Sequence, residues 1–379
     1  MLISTSFAGL LVTYLTNLNS AWLAEPWQQG FVIILVLLFC CAFSVQRFRV
    51  VQNVINALVV LAIVASLLLL LSATIWLLRG HASATGFTSI SDWQVSPANL
   101  VLFGFMAFAY IGAEGALNLA GELKEGQEAT IVKRHLLFGP LLIAIMYLIN
   151  TFAVLIVLGP EKGAIPFALV SVVDLVLGKS IGDIAAICFM GSFLATALVY
   201  NYVFARLLMV AAIDMRIPID LGRLNRNRAP ANAIVFQTVI SVIYILISYM
   251  VIPNITFLSI SSADLSLDFY TVSQAASALI WAVSTCFLYI GLVGCYRRAR
   301  ARFEQRRIFP LPVLWLSVII GIATCVLTIV DTLLFSWLPQ ISNQHWWWIV
   351  GGVASIFLVF AAAGAMLANS EATWEQFRH

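Results

Sequence analysis

The sequence predicts an all-α, polytopic membrane protein, and three observations point there. Hydrophobic residues make up 62% of the chain and charged residues only 10%, where a soluble domain carries about 25% charged residues. The mean hydropathy is +1.00. The apolar residues gather into about ten stretches, each long enough for a helix to cross a bilayer.

Taken in order, the stretches cover roughly 2–18, 28–46, 52–78, 97–121, 135–158, 182–212, 230–252, 269–296, 310–336 and 345–368. The first is the weakest, because Thr13, Thr16, Asn17 and Asn19 dilute its second half. Its start, MLISTSFAGLL, has no basic n-region, so it reads as a transmembrane helix rather than a cleavable signal peptide. Stretches longer than about 25 residues must tilt, break or protrude. The fourth is expected to break. It contains FGFMAFAYIGAEGALNLAGE, from Phe103 to Glu122, with Glu114 between Gly112 and Gly115. A carboxylate within a span is costly and marks function by default. Neighbouring glycines let the backbone leave helical geometry. Such backbone survives at membrane depth only where protein buries it or a cavity receives it. Secondary transporters bind substrate at helices broken in this way. The connections around 79–96, 159–181 and 252–268 are the longest and leave no room for a soluble catalytic domain.

Charge sets the orientation. Of the 20 Lys and Arg residues, sixteen fall on one set of alternate loops. They run from Arg47 and Arg49 through Lys124, Lys133 and Arg134 to Arg216, Arg223, Arg226 and Arg228. The cluster from Arg297 to Arg307 and then Arg378 complete the set. Only Arg79, Lys162 and Lys179 fall opposite, and Arg206 lies inside a span. The positive-inside rule then places both termini in the cytoplasm. Trp27, Trp76, Trp93, Trp337 and Trp346–Trp348 lie near span ends and read as an interfacial belt rather than a ligand cage. The basic cluster 297–307 reads first as a topology signal and second as a contact for anionic lipid. A net charge of +3 gives no argument for nucleic acid. Cys40, Cys41, Cys188, Cys286, Cys295 and Cys325 all lie in or beside apolar stretches and read as reduced packing residues.

Two motifs resemble the amino acid permeases of the amino acid–polyamine–organocation (APC) superfamily. The segment Phe108-Ala109-Tyr110-Ile111-Gly112-Ala113-Glu114, followed by Asn118 and Glu122, is similar to the family's sixth helix. Arg206, Asp214, Pro218, Leu221, Asn225 and Pro230 resemble the cytoplasmic loop after its eighth. Two departures stand out: Asp214-Met215 replaces the usual Asp-Gly, and LKEGQEAT after Glu122 lacks the usual prolines. The resemblance implies a LeuT-like fold with five-plus-five inverted repeats and two appended helices. Residues 1–18 then correspond to the third helix, so the chain is expected to lack the first two, one of which carries half the binding site. That expectation fits a fragment, a mis-started reading frame or a shortened permease. Residues 1–96 would be the remnant of the first repeat, 97–296 the second repeat, and 297–379 the C-terminal helices and tail.

The resemblance implies that Tyr110, Ile111, Gly112, Ala113 and Glu114 bind substrate through freed backbone and the Tyr110 ring. Close helix packing through small residues is the alternative. Glu114 is the candidate proton-coupling group, against a structural acid that stays protonated. Arg206 is expected to close an inner gate with Asp214 or Glu122, or else to snorkel at a helix end. For Glu122, a simple interfacial position is the stronger reading. Ser192, Thr196, Tyr200 and Asn201 are candidate pathway-lining residues, although Ser and Thr can equally bond their own helix. Ser273, Gln274, Ser277 and Ser284 give further polar positions among which the sequence does not choose. Asn150 reads as an interhelical hydrogen bond, and Asp331 is expected near the outer interface.

The leading functional expectation is therefore a secondary transporter of amino acids or related amines, driven by protons or exchange, with sodium not excluded. No cofactor is expected. The substrate itself stays open, with a weak preference for neutral amino acids. The alternative is a non-transporting permease homologue that acts as an assembly partner or sensor. An enzyme is disfavoured, since His81, His135, His345 and His379 are scattered and no H-E-x-x-H, G-x-S-x-G or G-x-x-x-x-G-K-[ST] is present. Short loops and tails suggest a prokaryotic cell membrane.

Overall fold

Eight helices among the described residues are long and apolar enough to cross a membrane. The computed structural model describes residues 1–19, 22–89, 103–109, 115, 128–163, 167–251, 265–307, 309–338 and 341–366. The helices are α1 (Leu2–Leu18), α2 (Pro26–Ser44), α3 (Phe48–Leu78), α4 (Phe103–Phe108), α5 (Glu128–Val157), α6 (Gly159–Gly163), α7 (Ala168–Leu177), α8 (Lys179–Ile213), α9 (Ala231–Leu246), α10 (Leu265–Arg298), α11 (Arg300–Arg306), α12 (Leu311–Leu334) and α13 (Asn343–Met366). No strand occurs among them. A 3₁₀ turn, Ile219–Gly222, sits in the loop after α8, and a π-turn, Ile247–Val251, continues α9.

Eight of the ten anticipated stretches correspond to these spans; the first is the shorter apolar helix α1, and the fourth lies mostly outside the described residues. In lipid every backbone group must be satisfied within its own segment, so long apolar runs become helices. With 35 residues, α8 extends about 50 Å. That exceeds a hydrocarbon core of about 30 Å, so tilt or protrusion must absorb the excess.

Buried residues show which helices form the interior. α1 packs against α8 and α10, with α2 alongside. Its polar residues Ser4, Thr5, Ser6 and Thr13 are buried with Ala8 and Val12. Thr5 and Thr13 donate to their own helix at Leu2 O (2.7 Å) and Gly9 O (3.1 Å). The weakness of this stretch as a hydropathy signal has a physical cause: protein surrounds it, so it need not be apolar on every face.

Three features depart from the sequence expectation. The connection 159–181 is not simply a loop, because it holds α7, whose Val170, Val172, Val173 and Val176 are buried. That face packs on α8 and α3. Ten residues are too few to span, so a length criterion passes over such a helix. Gly178, at φ +94, makes the corner into α8, a conformation L side chains resist. Second, the tryptophan belt divides. Trp347 and Trp348 are exposed, but Trp346 is fully buried and Trp337 is 8% exposed. The Trp346 indole donates to Thr332 O at 2.9 Å, which fixes it inward. Third, Asp331 does not face solvent but lies buried at 4% exposure on α12, bonded to the main chain of another helix. All six cysteines are free.

Candidate functional site

The heart of the anticipated site, Tyr110, Ile111, Gly112, Ala113 and Glu114, lies outside the described residues, as do Asn118 and Glu122. Its flanks are described. On the N-terminal side, α4 carries the chain to Ala109 and packs on α12 and α10. Two long-range hydrogen bonds bracket it. The Gly104 N–H donates to Asp331 Oδ2 at 2.7 Å, and the Tyr147 hydroxyl of α5 donates to Ala109 O at 3.2 Å. The Phe105 ring meets the Trp337 ring edge-on at 5.4 Å. On the other side, Gly115 faces α8, where a methyl added to it would stand 3.9 Å from Val203 Cγ1.

α8 positions most of the remaining candidates. The Ser192 hydroxyl donates to Phe189 O at 2.7 Å, and the Thr196 hydroxyl to Ser192 O at 2.9 Å. Both bonds stay within the helix, as β-hydroxyl side chains commonly do. Asn201 reaches across helices. Its Nδ2 donates to Ser44 Oγ of α2 at 3.2 Å, and it accepts Gln237 Nε2 of α9 at both its side-chain and main-chain oxygens. Asn201, Gln237 and Ser44 are all buried. One turn past Val203, Arg206 donates to the Tyr202 hydroxyl at 2.8 Å and to Arg228 O at 3.1 Å. Its guanidinium lies 5.3 Å from the Tyr202 ring centroid, within cation–π range. The anticipated ion pair with Asp214 is not formed; Asp214 instead closes the end of α8 through its own N–H to Val210 O at 2.9 Å.

The loop motif shows a local logic that sequence reasoning did not assign. Asn225 Oδ1 accepts the N–H groups of Asn227 (2.9 Å) and Ala229 (3.0 Å), an Asx-type turn. Its Nδ2 donates to Val45 O at 2.9 Å, strapping the loop to the end of α2. The Asn-x-x-x-Ala-Pro pattern before α9 was the available signal.

On α10, Ser277 donates to Ser273 O at 2.7 Å, and Ser273 Oγ lies 3.1 Å from the Tyr244 hydroxyl of α9. Ser284 is exposed. Gln274 is fully buried, with neither amide atom in a hydrogen bond. Phe7 of α1 contacts Phe193 and Tyr200 of α8 and Tyr270 of α10, with ring centroids 6.1–6.5 Å apart. Asn150, anticipated as an interhelical tie, keeps an unpartnered Oδ1. No group of three or more His, Cys, Asp or Glu that could hold a metal occurs among the described residues.

Long apolar helices enclosing buried polar side chains define an all-α, multi-pass integral membrane protein. The sequence model described as amino acid permease matches residues 1–368. The chain belongs to that family, within the APC superfamily. It is similar to the amino-acid permease AapA of Bacillus subtilis (strain 168), at 23% identity over 308 residues. The match covers 77% of this chain but 61% of that relative, so the chain spans about three-fifths of the relative's length.

Proposed function

We propose that this chain is a secondary active transporter that moves amino acids or related amines across a membrane by alternating access. The observation that carries the proposal is the family match over residues 1–368. The name of the Bacillus relative supports the same substrate class. Uptake is coupled to protons or proceeds by exchange. Both termini are cytoplasmic, in a prokaryotic cell membrane. Residues 97–296 form one repeat of an inverted pair, 1–96 the rest of the other, and 297–379 the appended helices.

In this reading Tyr110, Ile111, Gly112, Ala113 and Glu114 hold the substrate. Freed main-chain N–H groups suit a carboxylate, as helix ends do. Glu114 carries the proton in this reading, since a carboxylate at membrane depth is costly and by default marks a proton or ion path. Arg206, Asp214 and Glu122 act at the inner gate, with Arg206 held by Tyr202 and Arg228 until the gate rearranges. Ser192, Thr196 and Ser277 are the pathway-lining proposals; Asn201, grouped with them on sequence, is read here as the tie between three helices. The exposed Arg297, Arg298, Arg300, Arg302 and Arg307 meet anionic lipid headgroups.

The test is uptake of radiolabelled L-alanine, L-leucine, L-arginine and L-glutamate by vesicles carrying the purified chain. A pH gradient should drive accumulation of at least one. Glu114→Gln should abolish the gradient-driven component while the protein still reaches the membrane. Full retention of that component would remove Glu114 from the mechanism. Absence of both uptake and binding by the unaltered chain would favour a non-transporting partner or sensor.

A further inference from the structure

The carboxylate of Asp331 is buried, lies within a span, and bonds to the main chain of a helix 227 residues away. A carboxylate placed inside a membrane protein is costly and is kept for a function or a specific structural task. Here its bonded partner is not a cation but the Gly104 N–H, at 2.7 Å.

We infer that Asp331 is a positioning residue: it tethers the limb Phe103–Ala109 and so sets where the chain enters the substrate segment 110–114. The inference rests on reading 110–114 as that segment.

Several independent features describe a built dock. Gly104 fits closely, because a methyl there would collide with Thr332 Oγ1 and stand 3.1 Å from both Asp331 Oδ2 and Trp337 Cζ2. Thr328, Asp331 and Thr332 lie three and four positions apart on α12 and therefore share one face. All three are buried. The hydroxyls of Thr328 and Thr332 and the Trp337 indole N–H carry no hydrogen bond. Behind them, Trp346 grips the Thr332 carbonyl at 2.9 Å and packs on Trp337 with ring centroids 6.1 Å apart. At the limb's other end the Tyr147 hydroxyl holds Ala109 O. A helix this short has little stability of its own, so these contacts decide its position.

The experiment uses the full chain in lipid vesicles, with a spin label at Met106→Cys, a position 58% exposed on the limb. Cys295→Ser removes the exposed native thiol. The readouts are label mobility and the KM and maximal rate of uptake for the same amino acid panel. Asp331→Ala should raise label mobility and raise KM about tenfold, the size expected for losing a hydrogen bond to a charged group. Asp331→Asn keeps an acceptor oxygen and should recover most of both. Gly104→Ala should mimic Asp331→Ala, and adding Thr332→Ala should restore the dock. This second pair keeps the proposal open to refutation should Asp331→Ala fail to fold. Wild-type mobility in both Asp331→Ala and Gly104→Ala would overturn the tether. Raised mobility with unchanged KM would overturn the positioning role while leaving the transporter reading intact. No uptake by the unaltered chain would remove that reading and the positioning role with it, while mobility alone would still report the tether.

Discussion

Replacing Asn201 by Ala distinguishes a helix tie from a pathway lining. The substitution removes the amide that reaches Ser44 Oγ at 3.2 Å and the side-chain oxygen that receives Gln237 Nε2. Gln237 keeps one acceptor, the Asn201 main-chain oxygen, whereas Ser44 loses this donor. Side-chain hydrogen bonds between membrane helices average about 0.6 kcal/mol and reach about 1.7 kcal/mol. Two lost bonds therefore cost about 1–3 kcal/mol. Ser44 at 0% and Gln237 at 2% exposure place the effect in the upper half of that range, because water cannot replace the partner. The assay is unfolding of the purified protein in mixed micelles, followed by tryptophan fluorescence. A double-mutant cycle with Ser44→Ala should give a coupling of about 0.5–1.5 kcal/mol. Substrate KM should move less than threefold once folded protein is counted. Unchanged stability together with a strongly raised KM would refute the reasoning and return Asn201 to the pathway.

Two shorter predictions follow from exposed groups. Cys295 is exposed at the end of α10, while Cys40, Cys188 and Cys325 are buried, so a membrane-impermeant maleimide should label Cys295 in inside-out vesicles far faster than in right-side-out ones; the reverse preference would invert the topology. On α11, Arg300 Nε donates to Glu304 Oε1 at 2.8 Å and holds that carboxyl below its ordinary 4.5, with the charges of Arg300 and Arg307 helping. A depressed carboxyl contributes stability that is present above its unfolded pKa and is lost as pH falls through its folded value. Protection of 300–307 from hydrogen exchange, corrected for intrinsic rate, should therefore hold at pH 7 and fall only on acidification below about 4.5. Glu304→Gln should lack that step, and an identical profile in both would remove the pair as its cause.

Span positions were legible because bilayer thickness imposes a length, and a length can be read from a hydropathy run. What hydropathy does not record is direction. Trp337, Trp346 and Asp331 all lie near the C-terminal end of α12 or beyond it, where the hydropathy run ends and belt tryptophans and interfacial acids are expected. Which of them turns inward depends on what stands opposite, and here that is the glycine of a helix more than two hundred residues earlier. α7 escaped for a related reason: it is apolar on the face that meets α8 but too short to register as a span. The loop motif was recognisable as a pattern, yet Asn225's task emerges only when the end of α2 is brought beside it. For the segment expected to break, the centre lies outside the described residues, and Phe103–Ala109 and Gly115 are what is described beside it.

The enclosure of α1 has a bearing on biogenesis. Its two principal walls, α8 and α10, are encoded by residues 179–213 and 265–298. On a ribosome the helix Leu2–Leu18 must therefore wait in the bilayer while most of the chain is still being made. During that interval the faces that meet α8 and α10 would stand without those two partners. Thr5, Ser6, Thr13 and Thr16 each bond a carbonyl of their own helix, so their polarity is already masked before any partner arrives. A helix whose two main walls arrive late is thus built to tolerate their absence, and its seating between them is a step of assembly rather than of insertion.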